Sequence, residues 1–386
     1  MSFVRKTKST SSPSSAAGAQ SQGTRASPTG GPHLVSSGCA DLDKLLGGGI
    51  PLGTLTIFTQ DGWTRHDALF LKYFVSEAVA VGQSVGVVRH MNQPCTSVAD
   101  FLLRRMSRSE ALKEEELEKA AVAAARDATK LRIAWQYEKY TKTTQAGGGP
   151  DTSGHARRPA LGKGGPFIGS RGPWCHDHDI SKPPSEEEVQ RMLHPTKTGD
   201  VNEQVLETYT IRAGNDMVAQ ITGAVRSFAS EVSKRPGVVG RLVIPALGDA
   251  TWNIEADAII NALMFVRSFI QQEPRISVMV SIPLRAMRPS DAMRIMYVGD
   301  ACFSLAAVED TSSLATLSAD SKSVSGAMEI IRLPTFGSTR SPLPDVRSYV
   351  VRNKRRRLAL EVFEVDPDAE AEANGEPAAS PSSLEW

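Results

Sequence analysis

The chain has 386 residues, 40% of them apolar and 23% charged, enough to bury a sizeable core in one large domain or two. Lys and Arg number 44 against 43 Asp and Glu, and a net charge of +1 makes no overall case for a nucleic-acid or membrane-surface binder. No apolar run reaches the ~18 residues that span a bilayer, the N-terminus is Ser/Gly/Ala-rich where a secretory signal would be apolar, and the four cysteines form no C-x-x-C pair, so a soluble intracellular protein with free thiols is expected.

In chain order, residues 1–33 carry Arg5, Lys6, Lys8 and Arg25 with no acid and predict a disordered tail. Gly47, Gly48 and Gly49 predict a turn, Leu55-Thr56-Ile57-Phe58 a strand, and Ala68, Leu71, Val75, Ala78 and Val79 a helix with Phe70 and Phe74 widening its apolar face. Ser84–Val88 predicts a second buried strand, 97–127 a helix with a solvated charged face, and Leu131–Tyr137 a third strand. Composition then collapses into Gly, Pro, Ser and Arg, which predicts a disordered insertion at 141–172. Order is expected to resume at Trp174–Lys182, and Ser185-Glu186-Glu187-Glu188 supplies a capping box for a short helix.

Further along, helices are expected over 215–233 and 255–272, and strands at Arg241–Ile244 and Arg275–Ile282, followed by an arginine-bearing loop at 284–294. Strands at 302–308, 327–333 and 358–363 close the series. An acidic tail with Asp366, Asp368, Glu370, Glu372, Glu376 and Glu385 then ends it. Strands alternating with helices, then consecutive strands, indicate an α/β domain over 34–365: a largely parallel central sheet flanked by helices, with an antiparallel extension.

The strand-to-helix junction at 55–68 invites comparison with a phosphate-binding loop. Such a loop, G-x-x-x-x-G-K-[ST], needs backbone N–H groups around the phosphates, a Lys to neutralise them and a hydroxyl to hold Mg²⁺. Here the glycines become Gln60 and Arg65, the lysine His66 and the hydroxyl residue Asp67. A neutral imidazole is a poor substitute for a fixed ammonium, and Asp61 and Asp67 oppose a polyphosphate. The strand that should end in a metal-holding carboxylate ends instead in Pro245, and Asp249 beyond it reads as a turn residue. Both departures remove positioning and charge stabilisation, so an ATP-hydrolysing site is not expected.

Other clusters have plainer explanations beside the sharp ones. Cys175, His176, His178 and Asp179 include zinc-ligand types but are too tightly spaced, and an ordered junction after the insertion is the default. His66 as a general base has no partner identifiable by spacing. Lys354-Arg355-Arg356-Arg357 precedes an apolar strand and reads as an exposed basic turn rather than a nucleic-acid or import signal. Arg285, Arg288 and Arg294 follow a strand whose C-terminal end is where α/β sheets gather ligands; phosphate contacts and a solvated loop account for them equally.

Asp41-Leu42-Asp43-Lys44-Leu45-Leu46-Gly47-Gly48-Gly49-Ile50-Pro51-Leu52-Gly53 is similar to the RecA superfamily. More narrowly, Leu71–Phe74, Leu131–Tyr137, Trp174–Lys182 and Arg241–Gly248 resemble the subunit 4 family of the eukaryotic Elongator complex, in order and over about residues 34–364. The resemblance implies a RecA-like fold with a degenerate P-loop and no catalytic residue, cofactor or metal of its own. It implies a heterohexameric ring with Elongator subunits 5 and 6, contact with the remaining Elongator subunits, and no membrane. It further implies tRNA binding in wobble uridine modification, and residence in cytoplasm and nucleus. By analogy with ring-forming RecA-type subunits, Arg285, Arg288 and Arg294 become candidate tRNA contacts. The alternatives are a divergent RecA-type ATPase and a chromatin-associated transcription elongation scaffold.

Overall fold

The computed structural model describes residues 23–28, 30–117, 119–120, 174–194, 204–214, 216–308, 324–335 and 346–362. Residues 105–177 form a unit of their own, in which a helix runs over 108–117; the rest of the chain forms the other.

In the larger unit, Thr24–Arg25 (β1), Leu34–Val35 (β2) and Ile50–Pro51 (β3) make a small antiparallel sheet in that order. Thus Thr24 and Arg25, within the stretch expected to be a tail, pair with Leu34 and Val35. Between β2 and β3 lie the short helix Ala40–Leu45 (α1) and the predicted glycine turn. Gly48 has φ 127°, and a Cβ there would collide with the Arg25 guanidinium that donates to Gly48 O, so only glycine fits.

Among the described residues the central sheet has nine strands. They are Leu55–Thr59 (β4), Ser84–His90 (β5), Leu206–Ile211 (β6), Gly240–Ile244 (β7), Ile276–Ile282 (β8), Ala301–Ala306 (β9), Val324–Arg332 (β10), Ser348–Asn353 (β11) and Leu358–Val362 (β12). Their order is β12-β11-β10-β9-β4-β8-β7-β5-β6. From β9 to β6 every neighbour is parallel, and from β9 to β12 every neighbour is antiparallel. The expected parallel sheet with an antiparallel extension is therefore present.

Every residue of β4, β7 and β8 is buried, as unbroken apolar runs in a parallel sheet require, and alternate side chains enter two cores. Phe58, Val243, Met279 and Phe303 face His66–Val81 (α2) on one side. Leu55, Ile57, Leu242, Ile244, Val278 and Val280 face Met217–Ser233 (α4), Ala256–Gln272 (α5) and Pro289–Val298 (α6) on the other. Helix α2 is buried nearly all round, with Phe70 stacked on Phe58 at 4.7 Å. The predicted capping box forms: Ser185 Oγ accepts from Glu188 N at 3.2 Å and Glu188 Oε2 from Ser185 N at 2.8 Å, opening Glu186–Leu193 (α3).

Several expectations change. The reading of 97–127 as one helix fails at its start: Val98–Phe101 is a single 3-10 turn, and Leu102 and Leu103 are buried in extended chain, held where Leu103 N donates to Ser76 Oγ. The arginine segment 284–294 is mostly not a loop. It is a 3-10 turn over Leu284–Ala286 and then α6, started by Pro289 at a position where the missing N–H is harmless. Strands β6 and β11 were not anticipated, although Tyr209, Thr210 and Ile211, and Tyr349, Val350 and Val351, are strand formers. The predicted strand 131–137, the insertion 141–172 and the acidic tail lie outside the described residues.

Candidate functional site

The loops after β4, β7 and β8 open at one edge of the sheet, the carboxyl edge where parallel sheets hold ligands. Gln60 N donates to Ile282 O at 2.8 Å and so ties the first of these loops to the end of β8. Next comes Asp61, only 4% exposed. Its Oδ1 accepts from Trp63 N at 2.9 Å and Thr64 N at 2.8 Å, and its Oδ2 from the Thr64 hydroxyl at 2.9 Å. Successive N–H groups ahead of a helix N-terminus form an anion cradle, and here the anion is the loop's own carboxylate. Gly62 makes the bend with φ 84°. Trp63 and Arg65 point into solvent.

His66, the first residue of α2, turns inward. Its Nε2 lies 3.0 Å from Ser325 Oγ, and that hydroxyl donates to Val351 O at 3.1 Å, so the Nε2–H donates to Ser325. Nδ1 is then an acceptor, with no hydrogen-bond partner among the described residues. The ring is pressed on Gly326, where an added Cβ would come within 2.9 Å of His66 Cε1 and 3.0 Å of Nδ1. Burial lowers the imidazole pKa, against the opposing charge of Asp61, which favours the neutral ring.

Asp67 is buried as well, and burial raises its pKa, partly offset by hydrogen bonds from the Ala68 backbone and Ser281. Ser281, in β8, also accepts from Ala246 N at 2.8 Å through its Oγ. Its hydroxyl therefore bridges the start of α2 to the turn after β7. In that turn Pro245 O accepts from Gln93 Nε2 at 2.8 Å, while Gln93 Oε1 accepts from His90 N at 3.0 Å. Ala246 takes the left-handed φ of 44°. Asp249 Oδ1 accepts from Thr251 N at 2.8 Å, the turn role expected of it. Gln60, Arg65, His66, Asp67 and Pro245 are thus placed around one edge, where His66 is bonded to Ser325, Asp67 to Ser281 and the Ala68 backbone, and Pro245 O to Gln93. Gln93 and Ser281, which do the stitching, were missed as site residues, and Asp61, read as opposing a polyphosphate, was missed as the group that bonds its own loop. The signal for Asp61 was an acid two and three residues ahead of free N–H groups, and for Ser281 a hydroxyl within an apolar strand.

Arg285, Arg288 and Arg294 divide. Arg285 is exposed, with no ion-pair partner among the described residues. Arg288, just before α6, meets Asp291 at 3.1 Å, and Arg294 meets Asp257 at 2.8 Å and Asp291 at 3.5 Å. The basic run 354–357 is the turn between β11 and β12, closed by Lys354 N to Arg357 O at 3.0 Å. Lys354 pairs with Glu361 at 2.9 Å, and Arg356 lies 3.9 Å from Asp179. The basic turn is therefore partly neutralised. His178 is buried against Glu77 at 3.1 Å. Among the described residues there is no group of three or more His, Cys, Asp or Glu arranged to hold a metal, and no helix long and apolar enough to cross a membrane.

A family model described as PAXNEB protein matches residues 17–385. Elongator complex protein 4 of Dictyostelium discoideum is 22% identical over 368 residues, 89% of this chain and 77% of that protein. The Danio rerio protein of the same name is 20% identical over 370 residues, 90% of this chain and 85% of its own length. That of Xenopus laevis is 26% identical over 236 residues, 60% of this chain and 53% of its own.

Proposed function

The chain belongs to the PAXNEB family, and from that premise we propose that it is a non-catalytic, RecA-like subunit of Elongator. In this reading it forms a heterohexameric ring with subunits 5 and 6, contacts the remaining Elongator subunits, and supports tRNA binding for wobble uridine modification in cytoplasm and nucleus. The observation that carries the non-catalytic part is the carboxylate of Asp61 lying in its own loop's anion cradle, 2.8–2.9 Å from two backbone N–H groups. A phosphate would have to displace a buried carboxylate there, and no lysine stands at position 66 to compensate. Beside it, the Asp67–Ser281–Ala246 bridge joins the places where a hydrolytic site would put its magnesium-holding hydroxyl and acid. These positions support a degenerate P-loop and a missing strand-end acid.

ATP turnover, measured for the chain alone and in its ring with Arg65, His66 and Asp67 replaced together, tests this. No turnover attributable to this subunit is expected, and the replacements should change nothing. Turnover lost on replacement would establish the divergent-ATPase alternative instead. The scaffold alternative rests on the 354–357 turn, whose cations already meet Glu361 and Asp179, and no observation favours it.

A further inference from the structure

Among the described residues Trp63 is the most exposed large apolar side chain, at 77%. Isolated exposed apolar residues are ordinary, but this one stands on a held backbone. The buried Asp61 carboxylate grips the Trp63 and Thr64 backbone N–H groups and so fixes the stretch of backbone that carries the indole. On one side, Arg65 is exposed two residues on. On the other, Arg285 is exposed three residues beyond Ile282, and Ile282 O accepts from Gln60 N. The result is an exposed indole on a fixed stretch of backbone, in one loop with Arg65 and tied through Gln60 to the strand that precedes Arg285, and neither arginine has an ion pair among the described residues.

We propose that Trp63 anchors a contact with another protein subunit, its indole entering an apolar pocket rimmed by carboxylates that meet Arg65 and Arg285. The proposal rests on the reading of the chain as a member of a multi-subunit complex. Trp and Arg are the residue types that dominate interface energetics, and a loop backbone fixed before binding lowers the entropy lost on docking. A second copy of this chain fits less well, because a two-fold contact through this patch would bring its arginines against one another. A phosphate backbone fits less well too, since the same stretch of chain carries the buried acids Asp61 and Asp67 in place of a continuous basic track.

The test uses the full-length chain and separately prepared subunits 5 and 6, with dissociation constants measured for each variant. Trp63→Ala should weaken binding by about tenfold or more, and Trp63→Phe by much less. Arg65→Glu with Arg285→Glu should slow association and reverse its salt dependence. Thermal melting should match wild type for all of them, because these side chains are exposed. Unchanged affinity for Trp63→Ala overturns the proposal, as does a loss confined to tRNA binding or to self-association. If the wild-type chain binds neither subunit, the ring reading fails. Incorporation of the Trp63→Ala chain into assembled Elongator, compared with wild type by intact mass, then decides the contact by itself.

Discussion

Glu77 and His178 face each other inside the protein, Oε2 to Nε2 at 3.1 Å, with side chains 0% and 1% exposed. The pair fastens the segment that resumes before α3 to the most buried helix of the fold, α2. Truncation of one member removes a buried hydrogen bond from the other. His178→Ala is expected to cost about 1–3 kcal/mol in urea unfolding, and Glu77→Gln, which keeps a hydrogen-bonding group, distinctly less. Equal losses would mean that shape rather than hydrogen bonding decides this contact.

Arg241 is fully buried in β7, its guanidinium 4.8 Å over the Phe74 ring, with Nε donating to Gln83 Oε1 at 2.7 Å and Nη1 to Ser36 O at 2.6 Å and Phe74 O at 3.1 Å. Arg241→Ala strands those acceptors in the core and should cost at least about 3 kcal/mol. Arg241→Lys should recover little, because an ammonium cannot reproduce the planar fork or the stacking. Denaturant midpoints of the two variants check this.

Asp67 takes up its proton at higher pH when folded than when unfolded, because it is buried. The stability this contributes is present in full below the unfolded value of about 3.9 and is lost as pH rises through the folded value. At neutral pH the ionised group is then a net burden. Asp67→Asn, still able to bond Ser281, should melt higher than wild type at pH 7 and show no advantage near pH 4. A variant less stable at both pH values contradicts this.

His66 runs the other way. Its folded pKa is lowered by burial, so its contribution is present above the unfolded value of about 6.5 and is lost as pH falls through the folded one. Between pH 7 and pH 5 the wild-type protein should lose stability more steeply than His66→Gln, which keeps a donor for Ser325. Parallel melting curves across that range would assign the acid sensitivity elsewhere.

For tRNA, the ring assembled with Arg285, Arg288 and Arg294 all replaced by Ala should bind a panel of tRNAs more weakly and with a flatter salt dependence. Unchanged affinity and slope would remove these residues from the binding surface.

The sequence made the sheet legible wherever a strand is buried on both faces. Val278, Met279 and Val280 form an apolar run whichever way it is packed, and helices such as α4 and α5 repeat their apolar positions over several turns. Strands β6 and β11 were harder because polar or charged residues interrupt them, as in Glu207, Thr208 and Arg352, so their burial depends on neighbours far away in sequence. The site divided in the same manner. Substitutions at Gln60, Arg65, His66, Asp67 and Pro245 could be read against a motif. The partners Asp61, Gln93, Ser281 and Ser325 could not, because each is defined by a contact, and Ser325 reaches His66 across 259 positions of chain.

Strand β6 is the last strand on its flank of the sheet, paired among the described residues only with β5. In the chain between them, Val98, Phe101, Leu102 and Leu103 are buried in the core on the α2 side, and His178 is buried against Glu77. Loop closure grows only with the logarithm of length, each doubling costing about 0.6 kcal/mol. Natural variation can therefore change the length of this connection wherever it spares those anchored stretches, while β5 and β6 keep their register. A tag or reporter domain inserted between the anchored stretches should leave the sheet's pairing as it is.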